Sequence, residues 1–290
     1  MKFSVSKPLN PKIPVRVNKK EFKEFFLRHL SMPKRGPRCK IGYFKVMNYI
    51  LKVLHTGTQW KELVIEKDEN GEPEIHYTGI YKQYGKWSDD GSWIKIFEAS
   101  VQLLSDEKML DVSILHGDGT NTVAKKGGDG IGYSGHKKQY GEKVVAIVDN
   151  HGYIIAPYTI APANRNDCIL LPASLDNLSQ IARNTGFSIK GSILNLDGVF
   201  DSVKNRKSIF NRGMVPNIPE NKRNRKKPKR GRKRLFNEEV HQLRLTVERT
   251  FAWEDKFKRL LLRFERIQSR HFSFKLLAYT MINIRRFCQA

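Results

Sequence analysis

Apolar residues recur at steps of three and four through residues 43–54, where Tyr43, Val46, Met47, Ile50, Leu51 and Leu54 line one side of a predicted helix that Gly57 stops. Phe22, Phe25, Phe26 and Leu30 predict a shorter amphipathic helix over residues 19–30, and Ile94, Phe97, Val101 and Leu104 predict another. Residues 1–18 carry prolines and lysines without a period and read as an extended arm. The first 108 residues therefore form a helical module. From Met109 the period changes. An apolar run at 111–115 leads into His116-Gly117-Asp118-Gly119-Thr120, and β-branched runs at 143–148 and 153–160 flank Asp149-Asn150-His151-Gly152, a good hairpin connection. Three antiparallel strands follow. Asn166 or Asp167 caps a predicted helix carrying Leu170, Leu171, Leu175, Leu178 and Ile181, with Gly186 as its stop. Residues 192–196 predict a fourth strand ending in Asp197-Gly198, a short helix starts at Ser202, and 214–218 predict a fifth strand. A long helix is drawn over residues 236–266, with Val240, Leu243, Val247 and Phe251 as its buried stripe.

Charge changes this picture most. The 290 residues hold 53 Lys and Arg against 29 Asp and Glu, a net charge of +24, far above what solubility requires and self-repelling unless a polyanion sits against the chain. Nucleic acid is the partner this favours over a merely solubilising surface or charge-only RNA binding. Between Asn221 and Arg234, ten of fourteen residues are Lys or Arg, and Pro228 and Gly231 forbid a continuous helix. Such a run reads as a solvated loop, a localisation signal or a phosphate-binding strap. The strap is favoured because acidic candidates lie beside it, and Lys222, Arg223, Arg225, Lys226, Lys227, Lys229 and Arg230 are its candidate DNA contacts. Cys39, Cys168 and Cys288 are odd in number and far apart, without zinc or disulfide spacing, which suits a reducing compartment. No 18 apolar residues follow one another, so neither secretion nor a membrane span is expected, and a cytoplasmic, nucleoid-associated location is.

The chemistry rests on acids. Asp118 closes the predicted first strand and Asp197 the fourth, and adjacent parallel strands would bring both carboxylates to one sheet edge. Like charges persist together where a cation neutralises them, and oxygen-only donors favour Mg²⁺ or Mn²⁺. On the predicted long helix His241, Arg244, Glu248 and Asp255 share a face, so Glu248 is the candidate third ligand. Taken alone, Arg244 and Glu248 would be an ordinary i, i+4 ion pair. Three such carboxylates suit two ions about 3.5 to 4 Å apart acting on a phosphodiester, the chemistry of nucleases and strand transfer. Asp201 competes with Asp197, and Glu238, Glu254 and Glu265 compete with Glu248; the three glutamates lie among charged neighbours and read as surface residues. His116 reads as a packed strand histidine. Trp60, Trp87, Trp93 and Trp253 read as core, with stacking on a flipped base a second reading for Trp253. The glycine-rich stretch from Gly127 lacks a phosphate-loop ending and reads as a mobile loop over the site.

The segments His116-Gly117-Asp118-Gly119-Thr120, Asp197-Gly198-Val199-Phe200-Asp201-Ser202 and residues 244–253 from Arg244 to Trp253 resemble, in order, the three acidic motifs of bacterial insertion-sequence DDE transposases. Residues 161–167 and a helical N-terminal region containing Trp87 and Trp93 extend the resemblance over about residues 40 to 287. The order of elements, β-β-β-α-β-α-β-α, is that of an RNase H-like fold, a mixed α/β sheet flanked by helices. The resemblance implies an N-terminal helical DNA-binding region at 1–109 and a catalytic domain at 110–290. It implies that Asp118, Asp197 and Glu248 bind Mg²⁺ or Mn²⁺ as a pair of ions and that Arg244 contacts DNA near them. A related pattern, Tyr-x2-Arg-x3-Glu-x6-Lys, keeps its arginine and glutamate here but has His241 and Asp255 at its outer positions, with Lys256 one place later. The implied activity binds terminal inverted repeats, cleaves by hydrolysis and joins the freed 3′-hydroxyl to target DNA, as an oligomer on double-stranded DNA. Its rivals are a non-catalytic DNA-binding derivative and a structure-selective nuclease.

Overall fold

Along the chain the elements are α1 (Lys19–Glu21), which runs on through a π turn (Phe22–Phe26) and a 3-10 turn (Leu27–His29), then α2 (Tyr43–Thr56), α3 (Tyr77–Asp89), α4 (Ser92–Asp106), β1 (Ile114–Val123), β2 (Gly132–Ser134), β3 (Gln139–Val148), β4 (Thr159–Pro162), α5 (Asp167–Thr185), β5 (Ile193–Leu196), α6 (Val203–Phe210), β6 (Val215–Asn217), α7 (Glu238–Gln242), α8 (Leu245–Glu254) and α9 (Gln268–Asn283). The computed structural model describes residues 12–33, 35, 39–135, 137–156, 159–221 and 235–288. Among these, no helix is long and apolar enough to cross a membrane.

Two compact units form, one from Met1–Ser100, Trp253–Leu260 and Ser269–Ala290, the other from Val101–Ala252 and Leu261–Gln268. In the first, α2 buries the predicted stripe from Val46 to Leu54 and ends at Gly57, whose positive φ suits a helix stop. Asn18 and Glu21 close a reciprocal capping box at α1. The C-terminal helix belongs to this unit, a grouping that a cut at residue 109 does not give. Phe274 stacks on Tyr84 at 4.4 Å, and Arg270 makes two bonds of 2.7 Å to Asp89. Lys275 and Tyr279 both reach Glu254, at 2.7 and 2.5 Å.

The second unit is the mixed sheet flanked by helices that the pattern predicts. Its order is β2-β3-β1-β5-β6, with β4 on β3; β1 runs antiparallel to β3 and parallel to β5. The hairpin turn forms where expected, with Gly152 at φ 81°. Its return strand starts late: Ile154 makes only an isolated bridge to Val148, and the paired strand is Thr159–Pro162. The glycine-rich stretch supplies β2, which periodicity did not signal. The long helix expected over 236–266 is instead α7, α8, a 3-10 turn (Lys258–Leu260) and a non-helical stretch before α9. At its first break the bonding shortens to three residues: Leu243 N–H bonds the carbonyl of Val240 and Arg244 N–H that of His241, and the Val240 carbonyl also accepts from Asn195 Nδ2.

Strand alternation sorts the sheet's faces. Leu115, Leu194 and Leu196 join Leu171, Leu175 and Leu178 of α5 in one apolar core. Their neighbours His116, Asn195 and Asn217 are buried polar residues on the opposite face. The site lies on that polar face.

Candidate active site

Parallel pairing places His116 opposite Asn195 and Gly117 opposite Leu196, and the next residues along are Asp118 and Asp197. Asp118 does not close its strand, as the sequence suggested. β1 continues to Val123 along β3, with an isolated parallel bridge from Val123 to Leu262, so what ends before Asp118 is the pairing with β5. Asp197 leaves β5 exposed and caps the following 3-10 turn through the Gly198 N–H at 2.5 Å. Asp118 is half-buried, accepting from the Gly119 N–H at 2.8 Å and from Arg244 Nη1 at 2.9 Å. The other nitrogen of that guanidinium, Nη2, donates to Glu248 Oε1 at 2.8 Å. One arginine thus bridges the acid of β1 to the acid of α8.

The Asp118 carboxyl is raised above its ordinary range, chiefly by burial; Asp197 pushes the same way, while Arg244 and the Gly119 N–H oppose. Oxygen-only donors and an acid under this pressure suit a hard divalent cation. The third carboxylate is reached only through Arg244. Among the described residues, no group of three His, Cys, Asp or Glu stands ready to hold a metal ion. The expected convergence is therefore two neighbouring aspartates plus a glutamate tied in by a guanidinium.

The competing residues are engaged elsewhere. Asp201 is buried, bonded by Arg206 at 2.9 Å and by the Asn221 N–H at 3.1 Å. Glu238 is exposed in the first turn of α7. Glu254 and Glu265 are buried, which corrects their reading as surface residues: Glu254 is held by Lys275 and Tyr279, an arrangement no local charge pattern announces. His116 is a packed strand histidine bonded to Asn150 and Asn195, its pKa lowered chiefly by burial. Lys256 donates to the Ile13 carbonyl at 2.7 Å. Trp87 and Trp93 are core, whereas Trp60 is half-buried. Arg285 lies over the Trp253 ring at 4.5 Å. The loop from Gly127 is no free flap: Asp129 accepts from Arg263 at 2.7 Å and from the Gln268 N–H at 2.6 Å. A Cβ at Gly119 would stand 2.7 Å from Asp167 Oδ1, so a side chain there would displace the Asp167 carboxylate.

A profile described as "Transposase DDE domain" matches residues 109–281, well over half the chain. The chain belongs to the DDE transposase family. A search of curated proteins returns no match. Among solved structures, the DDE transposase is similar to one titled a cryo-EM structure of the piggyBac transposase synaptic complex with hairpin DNA. Identity is 13%, TM-score 0.50, with 91% of this chain and 72% of that one covered, a likeness of fold. It also matches the crystal structure of the Mos1 mariner paired end complex with Mn at 12% identity and TM-score 0.26, covering 68% and 64%. The basic run of this transposase, with the candidate DNA contacts Lys222, Arg223, Arg225, Lys226, Lys227, Lys229 and Arg230, lies outside the described residues. Sequence reasoning missed Asn195 and Asn217, whose signal was an amide in otherwise apolar strands, as in Leu194-Asn195-Leu196.

Proposed function

We propose that this DDE transposase cuts DNA at the ends of its element with Asp118, Asp197 and Glu248 as its catalytic carboxylates, then joins the freed 3′-hydroxyls to target DNA. What carries the reading is the single guanidinium that links Asp118 to Glu248 beside Asp197, on the one polar face of the sheet. Asp118 and Asp197 would hold Mg²⁺ or Mn²⁺, with Glu248 completing the set for a pair of ions. Bound there, the ions would supply Lewis-acid chemistry at the phosphodiester. Arg244 has a second task. Its guanidinium suits a phosphate oxygen as well as a carboxylate, so it can pass to DNA and leave Glu248 free to turn toward the aspartates. The helices of residues 1–109 would bind the terminal repeats, and the chain would act as an oligomer on paired ends, within the bacterial cytoplasm.

Incubating the purified chain and Mg²⁺ with duplexes from both flanks of its own gene should give nicks at the element boundary, abolished by chelation. Pre-cut ends should be joined to a plasmid. Binding without cleavage, or cleavage without joining, would contradict the reading. Neutralising Lys222, Arg223, Lys226 and Lys227 together should reduce the salt dependence of binding, with log Kd against log salt flattened by about 3 to 4. An unchanged slope would return the run to a solvated loop.

A further inference from the structure

The break between α7 and α8 is bonded to a buried amide inside the sheet. Asn195 is fully buried, and all four of its hydrogen-bonding positions are used. Nδ2 donates to the Val240 carbonyl at 2.6 Å and to His116 Nδ1 at 3.3 Å. Oδ1 accepts from Asn217 Nδ2 at 3.1 Å and from His241 Nδ1 at 3.3 Å. With its Nδ1 accepting, His116 carries its proton on Nε2 and donates to Asn150 Oδ1 at 3.2 Å. Asn217 continues the network to the start of α7: it donates to the Asn237 carbonyl at 3.0 Å and accepts from the Asn237 N–H at 2.8 Å.

In a continuous helix the Val240 carbonyl would accept from the Arg244 N–H. Here that carbonyl accepts from Asn195 at 2.6 Å and from the Leu243 N–H, three residues on, at 3.2 Å; Arg244 N–H turns to His241, and the chain restarts as α8 at Leu245. Asn195 lies two residues before Asp197 and opposite His116, itself two before Asp118, so the amide stands on the same face as the two acids. We propose that Asn195 is a positioning residue for the third carboxylate: by bonding the Val240 carbonyl it favours the break in the helix and fixes the segment from which Arg244 reaches Asp118 and ties in Glu248. This deepens the transposase reading and rests on it.

Asn195→Asp keeps the shape but turns two donated bonds into an acceptor facing a carbonyl and a ring nitrogen. Asn195→Ser loses the same tie without adding charge beside the acids. Both should lower kcat for end cleavage by about 100-fold, the scale of an ångström's misplacement. KM for DNA should stay within about threefold of the parent, because phosphate contacts made elsewhere set it. Amide exchange should quicken across residues 238–254 while β1 and β5 keep their protection. If only Asn195→Asp is impaired, the effect is charge and the proposal fails. It fails equally if kcat is unchanged, or if β1 and β5 exchange as fast as 238–254, which would make Asn195 a general core residue. A parent chain that leaves DNA uncut refutes the transposase reading instead; the exchange comparison needs no cleavage and still reads the positioning.

Discussion

Asp118→Asn is expected to slow single-turnover cleavage of an end-containing duplex by about 10³-fold or more, the several kcal/mol of barrier that a metal-holding carboxylate commands. DNA affinity should be unchanged or higher, because the substitution removes a negative charge from a surface that must accept phosphate. The fold should survive: the amide oxygen can still accept from the Gly119 N–H or from Arg244, and removing one of two neighbouring acids relieves the pressure that burial and Asp197 place on Asp118. Asp201→Asn makes the contrast. It weakens bonds from Arg206 and Asn221 within the fold and should cost stability while leaving cleavage in place. Acidity adds a second check. Cation binding needs the Asp118 carboxylate, whose pKa is raised in the metal-free chain, so Mg²⁺ affinity should fall on acidification at a higher pH than an ordinary aspartate would give. Weaker binding by Asp118→Asn, or retained cleavage, would remove Asp118 from the site.

The three motif residues stand out in the chain because each sits beside a strong local signal: an apolar run leading into a polar, glycine-containing stretch, or an arginine one helical turn from a glutamate. The apolar stripe predicted for the helix after Asp167 is likewise buried, with Leu171, Leu175 and Leu178 packed against Leu115, Leu194 and Leu196. What escaped were features set by distant partners. The helix over 236–266 has a sound apolar period, and nothing local marks the bond that the Val240 carbonyl accepts from Asn195 of β5. Glu254 looks like a surface acid among its neighbours, yet Lys275 and Tyr279 bury it. β1 outruns its predicted end because β3 is long enough to pair it to Val123. Glycines from 127 onward suggested mobility, whereas the loop is held by an arginine more than a hundred residues later in the chain.

That arginine carries the largest expected effect on stability. Arg263 and Glu142 are both completely buried and joined at 2.9 Å, and the same guanidinium reaches Asp129 and the carbonyls of Glu265 and Arg266. Arg263→Met should cost about 3 to 5 kcal/mol, because the buried glutamate loses the cation that offsets its desolvation. In a unit of this size, thermal unfolding should move down by roughly 10 °C. The double variant Glu142→Leu, Arg263→Met should recover most of that loss, since a buried ion pair is often worth little more than apolar residues of similar volume. Asp129 is largely exposed and contributes little to this balance. The same pair of variants decides what the glycine loop does. A Cβ at Gly128 would stand 2.6 Å from the Arg266 carbonyl, so the loop is packed as a clasp on that segment. If the clasp is structural, the double variant should cleave DNA like the parent at temperatures where both are folded. A change in KM for DNA with stability recovered would instead restore the loop to the role of a flap over the acids.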